Sequence, residues 1–290
     1  MRLRTDLAVE ARELAGGDVK GVDYSLYREN GLEISRLTVK DDRAKHALGK
    51  EKGTYITIEL PSLTEHFSDT DDRLRTIGGE IRRLLPVHGL LLVAGLGNEE
   101  ITPDSLGPKT ASRVLATRHI TGEIARATGL DRLRPVAVLS TGVTGQTGIE
   151  TGEYIHSIVS RIRPSAVIAI DALASRRPER LGCTLQISDT GISPGAGVGN
   201  RRTAINRASI GVPVISVGVP TVVDLQTLTG DLLGSVRADE LRRESPKSRG
   251  MLVIPGEIDL LTERASRLIA LALNAAMQDA FDLSELVELM

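Results

Sequence analysis

The stretch "LLLVAGLGNEEITPDSLGP" (residues 90–108) runs an apolar segment into a glycine turn and then places Asp104 directly after a proline. A strand that ends in Gly-x-Gly is how a dinucleotide-binding turn begins. Here Glu100 stands where that motif requires its third glycine, and the pair Glu99–Glu100 would repel phosphate groups. The stretch therefore favours a functional carboxylate at the mouth of a sheet over a nucleotide site.

Three further apolar runs resemble the first: "PVAVLSTGV" (135–143), "AVIAIDA" (166–172) and "VPVISVGVP" (212–220). They are rich in β-branched residues and do not alternate with polar ones, which predicts strands buried on both faces. Helical stretches at 105–120 and 147–164 separate the first three strands, and Thr147 with Glu150 predicts a capping box at the start of the second helix. The alternation predicts one α/β domain over residues 1–290, with a three-layer, mostly parallel sheet flanked by helices.

A peripheral antiparallel strand pair is predicted nearer the N-terminus, from "GLEISRLTV" (31–39) and "GTYITIELP" (53–61). In the second strand Ile56, Ile58 and Leu60 alternate with polar or amphipathic residues, so we expect one face to be solvated. The following segment, 69–85, places apolar residues three and four apart and predicts an amphipathic helix.

Composition excludes several classes of function. Lysine and arginine total 36 against 38 acidic residues, and the net charge of −2 gives no electrostatic case for direct binding to nucleic acid or to a membrane surface. The single cysteine, Cys183, excludes an intramolecular disulfide and suits a reducing compartment; we expect it to be a small buried residue. No apolar run is long enough to span a membrane, so a cytoplasmic protein is expected.

Two aspartates are predicted to meet at one edge of the sheet. Ligands of open α/β sheets bind outside the carboxyl ends of the strands, where the loops after the first three strands must lie together. Asp171 directly follows the apolar run "AVIAI", so we expect it where that strand reaches the surface, at the same end as Asp104. Either residue alone is an ordinary helix cap or loop acid. Together they predict a carboxylate pair that shares one proton.

Other kinds of site have weaker support. "PGAGVGNRR" (194–202) offers glycine N–H groups followed by Arg201 and Arg202, but it lacks the lysine of a P-loop, and we expect a flexible loop. No Gly-x-Ser-x-Gly elbow occurs, and a metal site would need carboxylates alone, so neither a metal nor a cofactor is expected. The five histidines are scattered, with the last two expected on helices: His46, His66, His88, His119 and His156.

Seven segments carry a resemblance to a known family: "RTDLAVEA", "GLGNEEITPDSLGP", "STGVTGQTGIET", "IAIDALASR", "QISDTGISPGAGVGNRR", "GVPVISVGVPTVVD" and "VIPGEIDLL". Together they resemble the germination protease family of spore-forming bacteria over nearly the whole chain. The resemblance implies an atypical aspartic endopeptidase that degrades small acid-soluble spore proteins in the spore core, with functional aspartates at Asp104 and Asp171. It also implies a fold like that of hydrogenase-maturation peptidases (phosphorylase/hydrolase-like). Between Asp224 and Met251 the chain has the short segment "DELRRESPKSRG", where the resemblance implies a longer segment in relatives.

The resemblance further implies a homotetramer and a zymogen that removes its own N-terminal segment. An acidic residue before the cut and an apolar residue then alanine after it place self-cleavage between Asp6 and Leu7, with residues 1–6 as propeptide. The alternative is a plain helix over the same residues, capped by Thr5 or Asp6 and burying Leu7, Ala11 and Leu14. The C-terminal segment 261–281 is apolar over more than one stripe, so it could face both its own sheet and a neighbouring chain.

Substrate or oxyanion contacts are expected from the glycine-rich turns, at Gly97, Asn98, Thr141, Gly142, Gly195 and Gly197. Two other classes of function stay open at this point. One is a metal-dependent maturation-type peptidase of the same fold, and the other is a non-catalytic module that binds the same spore proteins.

Overall fold

The centre of the molecule is a nine-stranded mixed sheet. A computed structural model describes residues 3–63, 72–199, 202–234, 239, 243–245, 248 and 250–289. The strands are β1 (Val22–Glu29), β2 (Leu32–Val39), β3 (Gly53–Glu59), β4 (Leu91–Gly95), β5 (Val136–Ser140), β6 (Ala166–Ser175), β7 (Thr184–Ser188), β8 (Val214–Asp224) and β9 (Leu252–Val253). Their order is β1-β2-β3-β7-β8-β6-β4-β5, and β9 pairs with β8. The predicted α/β class, a large sheet flanked by helices, is confirmed. The sheet is not mostly parallel as predicted, because β7 joins the antiparallel N-terminal strands to β8.

Helices cover both faces of this sheet. They are α1 (Ala8–Leu14), α2 (Asp42–Leu48), α3 (Asp72–Arg82), α4 (Leu106–Ala111), α5 (Gly122–Thr128), α6 (Thr144–Thr147), α7 (Thr151–Ile162), α8 (Arg207–Ile210), α9 (Leu225–Leu233), α10 (Ile258–Met277) and α11 (Leu283–Leu289).

Four strands form the parallel part of the sheet. β4 pairs in parallel with β5 and with β6, and β6 pairs in parallel with β8, so the four apolar runs are confirmed as strands. Every residue of β4 and β8 is buried, as predicted. β5 is only partly buried, contrary to expectation, because it is the edge strand and lacks a neighbour on one side.

The antiparallel part contains the strand pair predicted near the N-terminus. β2 and β3 pair antiparallel as expected, and β7 joins them to β8. The prediction that β3 has a solvated face is wrong, because both Tyr55 and Thr57 are buried. The reason is that α1 and α2 cover this face, with Ala8 and Leu48 packing in one apolar cluster with Tyr55.

The long helix α10 is buried within its own chain. It packs against α3, whose predicted apolar face is confirmed, and against α4. Leu268, Ile269, Leu271 and Leu273 are all buried in these contacts. The idea that a second stripe of this helix faces a neighbouring chain is therefore wrong, because α3 and α4 already cover it.

Several local predictions fail at the ends of elements. The helix expected over 105–120 ends at Ala111, which leaves His119 in a turn. Thr147 ends α6 instead of capping α7. The N-cap residue of α7 is Glu150, whose side chain makes no capping hydrogen bond and instead accepts the Thr144 hydroxyl at 3.1 Å. Cys183 is half-buried, since it lies in the turn before β7 and not in the core.

Within the described ranges, no helix is both long enough and apolar enough to cross a membrane.

Candidate active site

Asp104 is positioned by a short turn after β4. It is the last residue of a 3-10 helix, Thr102–Asp104, in which Pro103 restricts the backbone. The hydroxyl of Thr221 on β8 donates to the Pro103 carbonyl at 2.8 Å and so fixes the turn to the sheet. The backbone N–H of Asn98 donates to Asp104 Oδ2 at 2.7 Å. Asp104 is therefore held in place both through the backbone of its turn and through its side chain.

Glycines allow this turn to pack directly on the sheet. Gly97 has φ +112°, and a Cβ there would lie 2.1 Å from the carbonyl oxygen of Asp104. A Cβ on Gly95 would lie 2.3 Å from the carbonyl oxygen of Gly107 in α4, and one on Gly107 would lie 2.2 Å from that of Leu96. The glycines of the opening motif thus serve close approach of backbone to backbone around Asp104.

Asp171 lies inside a strand, which corrects the sequence prediction. β6 continues for four more residues, to Ser175, so Asp171 is not at the point where the strand reaches the surface, and it is only 5% exposed. The strand continues because β8 extends beside it and keeps its backbone paired. β4, however, ends at Gly95 opposite Ile170. Asp171 therefore lies just beyond the end of β4, where the Asp104 turn begins.

Asp104 and Asp171 line one cavity of about 270 Å³. Arg202 and Asp6 share its wall, with apolar residues that include Leu96, Ile101, Pro103, Val143, Leu173, Val222 and Leu252. The structure thus brings the two predicted aspartates together, and it adds Arg202, which the sequence predicted only as part of a flexible loop.

The two carboxyl groups differ in their environments. Burial raises the pKa of Asp171 well above its ordinary value, and the negative charges of Asp104 and then Asp6 raise it further. Burial also raises the pKa of Asp104, but the Asn98 N–H group and the charge of Arg202 oppose that rise. Asp171 is therefore the member of the pair that holds a proton more firmly.

The other predicted loop residues are distributed unevenly around the cavity. Gly97 and Gly195 line it, whereas the Asn98 N–H group is already bonded to Asp104. Thr141 and Gly142 are not among the lining residues, and the Thr141 hydroxyl donates to the Gly142 carbonyl at 3.0 Å. A role for these turns as oxyanion donors stays a prediction.

The glycine-rich loop also contacts the N-terminal segment. Gly197 packs against the Asp6 carboxylate, since a Cβ on this glycine would lie 2.2 Å from Asp6 Oδ2. Arg201, named with this loop in the sequence, lies outside the described residues.

The N-terminal segment reaches the same cavity through Asp6, just before α1 begins. The Asp6 N–H group donates to the Ala174 carbonyl at 2.8 Å, and the Ala174 N–H group donates to Asp6 Oδ2 at 2.8 Å. α1 begins only at Ala8; its N-cap residue is Leu7, without a side-chain hydrogen bond, so the predicted cap by Thr5 or Asp6 is wrong. Leu7 is fully buried, while Leu14, predicted on the same buried face, is exposed.

Glu10 secures helix α1 to the end of β6. Its carboxylate is fully buried and accepts the backbone N–H groups of Arg176 at 2.7 Å and of Arg177 at 3.1 Å. It also accepts the Thr5 hydroxyl. Residues on both sides of the Asp6–Leu7 bond are thereby fixed beside the two aspartates.

Within the described ranges, no three His, Cys, Asp or Glu side chains are grouped so that they could hold a metal ion. His46, His88, His119 and His156 are absent from the lining of the cavity, and His66 lies outside the described residues.

The sequence matches one family of known proteins over most of its length. A sequence profile described as "Germination protease" matches residues 4–239. The chain belongs to the germination protease family. A germination protease from Caldanaerobacter subterraneus subsp. tengcongensis is 41% identical over 99% of this chain and 98% of its own length. One from Clostridium tetani is 37% identical over 99% and 98%, and one from Priestia megaterium is 38% identical over 90% and 76%.

Family membership makes the chain a protease of spore germination, and therefore a hydrolase. Among solved structures, the [NiFe] hydrogenase maturation protease HycI from Thermococcus kodakarensis is similar over 67% of this chain and 98% of its own, with a TM-score of 0.38 and 16% identity.

Proposed function

We propose that this protein is an endopeptidase that initiates degradation of small acid-soluble spore proteins during germination, by a paired-aspartate mechanism. The observation that carries the proposal is that Asp104 and Asp171 line one cavity, where burial and the charge of Asp104 raise the pKa of Asp171. Two neighbouring carboxyl groups that cannot both ionise at low cost divide the roles of acid and base between them.

The different environments of the two carboxyl groups support one division of those roles. Asp104 is the base and takes a proton from the water that attacks the scissile carbonyl carbon, so a C–O bond forms and the carbonyl oxygen becomes negative. Asp171 is the acid and gives its proton to the amide nitrogen as the C–N bond breaks. The dyad ends with its one proton exchanged from Asp171 to Asp104, and it titrates as a pair.

The same site would act first on its own chain. Residues 1–6 form a propeptide that is removed by a cut between Asp6 and Leu7. Support comes from the position of Asp6, which lines the cavity of the two aspartates. We further propose that the enzyme works as a homotetramer in the spore core, where its substrates are found.

The test incubates purified protein with a small acid-soluble spore protein and follows the fragments by mass spectrometry. Asp104→Asn and Asp171→Asn should each lower turnover by at least about a hundredfold, the lower end for a positioned acid or base. Asp23→Asn is the matched control, because Asp23 is an exposed partner of Lys40 far along the sheet in β1. Turnover within tenfold of wild type in a folded Asp104 or Asp171 variant would remove that residue from the dyad.

Two outcomes would favour the other classes of function. Activity that a chelator abolishes and a divalent metal restores would indicate the metal-dependent peptidase. Tight binding of the spore protein without any cleavage would indicate a binding module.

A further inference from the structure

The carbonyl oxygen of Asp6 accepts two side-chain hydrogen bonds. Lys50 Nζ donates to it at 2.7 Å, and Gln186 Nε2 donates to it at 2.9 Å. If the chain is cut between Asp6 and Leu7, this oxygen belongs to the scissile peptide bond. It is the atom on which negative charge develops when water attacks, and donors at these distances are what an oxyanion hole requires.

Both donors are held in place by the fold. Lys50 follows α2, whose C-cap residue Gly49 is left-handed and turns the chain back toward the sheet. Gln186 is a buried residue of β7, and its Oε1 accepts the Ala8 N–H group at 2.6 Å. That bond directs the amide nitrogen of Gln186 toward Asp6.

Gln186 and Asp171 lie in one row across the sheet. Gln186 pairs with Gly218 of β8, and Gly218 pairs with Asp171 of β6. Paired residues on adjacent strands share a face of the sheet. Gly218 has no side chain of its own, and the Leu173 side chain fills the space where its Cβ would stand, with Leu173 Cγ 2.7 Å from that position.

Two cavities meet at Asp6. One, of about 320 Å³, contains Lys50 and Gln186, and the other contains Asp104 and Asp171; Asp6 lines both. Asp6 therefore lies between the hydrogen-bond donors of one cavity and the carboxyl groups of the other. This is the arrangement needed to polarise a carbonyl group while a water molecule attacks it.

We propose that Lys50 and Gln186 are catalytic residues that bind the carbonyl oxygen of the residue before the cut and stabilise its negative charge in the tetrahedral intermediate. This proposal rests on the proposed function. Attack of water moves an electron pair of the carbonyl group onto oxygen, where the ammonium group and the amide N–H group offset the charge. The proton of Asp171 then remains available for the leaving amine.

A purely anchoring role is the rival explanation. Lys50 Nζ also donates to the Thr5 carbonyl at 3.2 Å, so it contributes to holding the segment in place. If Lys50 is only an anchor, its replacement should release the N-terminal segment. If it is an oxyanion donor, its replacement should lower the cleavage rate while the segment stays docked.

The experiment measures self-cleavage of the full chain as a first-order rate, by mass spectrometry, together with kcat on an added small acid-soluble spore protein. Lys50→Met and Gln186→Glu should each lower both rates by about a hundredfold to a thousandfold, the loss expected for one oxyanion donor. Gln186→Glu keeps an oxygen for the Ala8 N–H group, but it replaces the donor with a carboxyl group whose negative charge also opposes an oxyanion, so Lys50→Met carries the test of donor loss. Lys52→Met is the matched control, because Lys52 is an exposed partner of Asp42.

Docking is measured separately by hydrogen exchange in chains that also carry Asp104→Asn, which keeps them full length. Protection of the Asp6 and Ala8 amides should stay within a few-fold when Lys50→Met is added. Loss of that protection together with the rate would establish the anchor and overturn the proposal.

The remaining outcomes distinguish a failure of this proposal from a failure of the proposed endopeptidase function. If the wild type cleaves and the Lys50→Met variant keeps more than a tenth of the wild-type cleavage rate, only the oxyanion role is overturned. Wild type that cleaves neither itself nor the spore protein overturns both.

Discussion

Replacing Asp171 by asparagine should make the folded protein more stable while it removes activity. The side chain is buried within β6, and its Oδ1 accepts the adjacent Ala172 N–H group at 2.9 Å. Burial and the neighbouring carboxylates of Asp104 and Asp6 raise its pKa. The folded chain therefore keeps a proton there that the unfolded chain releases, and folding is penalised as pH rises. Asparagine has the same shape and carries no such penalty.

The sign and size of the effect follow from proton linkage. Below the ordinary pKa of an aspartate both states are protonated, so wild type and the Asp171→Asn variant should differ little in stability. Above it, the unfolded wild-type chain ionises at this site while the folded chain does not. The advantage of asparagine then grows by up to about 1.4 kcal/mol for each pH unit until the raised folded pKa is reached. For the same substitution, Asp171→Asn, a hundredfold loss of turnover corresponds to about 2.7 kcal/mol of transition-state stabilisation.

Urea unfolding at a series of pH values from about 4 to 8 measures this, with wild type, Asp171→Asn and the exposed Asp23→Asn as control. The stability difference should be small at the acid end, increase with pH for Asp171→Asn, and stay flat for the control. A variant that is less stable than wild type at neutral pH, or whose difference does not change with pH, would refute the argument that Asp171 is a destabilised, protonated acid.

Three further predictions concern stability and assembly. Gly107→Ala should lower the free energy of unfolding by about 3 kcal/mol or more, because its Cβ would lie 2.2 Å from the Leu96 carbonyl oxygen. Gly145→Ala is the control and should be neutral, because the space around its Cβ is open. Equal melting temperatures of the two variants would contradict this prediction. Glu10→Ala should cost about 2–6 kcal/mol, since it leaves two backbone N–H groups without an acceptor, and Glu10→Gln should cost less; urea midpoints that do not move would show that water replaces the carboxylate. Light scattering at micromolar concentration should give the mass of four chains, and a monomer would end the proposal of a tetramer.

The aspartate pair could be located from the sequence because the pattern fixes the relevant geometry. Four non-alternating apolar runs predict buried parallel strands, and parallel strands direct their carboxyl ends to one edge. What could not be obtained was the exact end of β6. After Asp171 the residues "ALAS" carry no turn signal, and only pairing with β8 shows that the strand continues.

Lys50 and Gln186 could not be found in this way. Lys50 is separated from Asp6 by 44 residues and reaches it from the loop after α2. Gln186 lies on β7, a strand of five residues that the hydrophobic pattern did not predict. Their meeting depends on a strand order that places β7 beside β8, and local sequence does not specify long-range order of this kind.

The backbone packing around Asp104 has a consequence for protease engineering. The turn and α4 touch β4 through Gly95, Gly97 and Gly107, so a side chain added at these positions has no room. Other residues that line the cavity are ordinary apolar side chains, among them Val222 and Leu252. A library that varies these side chains would change the shape offered to a substrate while the carboxyl pair keeps its spacing. Retargeting the enzyme to new cleavage sequences is therefore a problem of those side chains and not of the glycine turn.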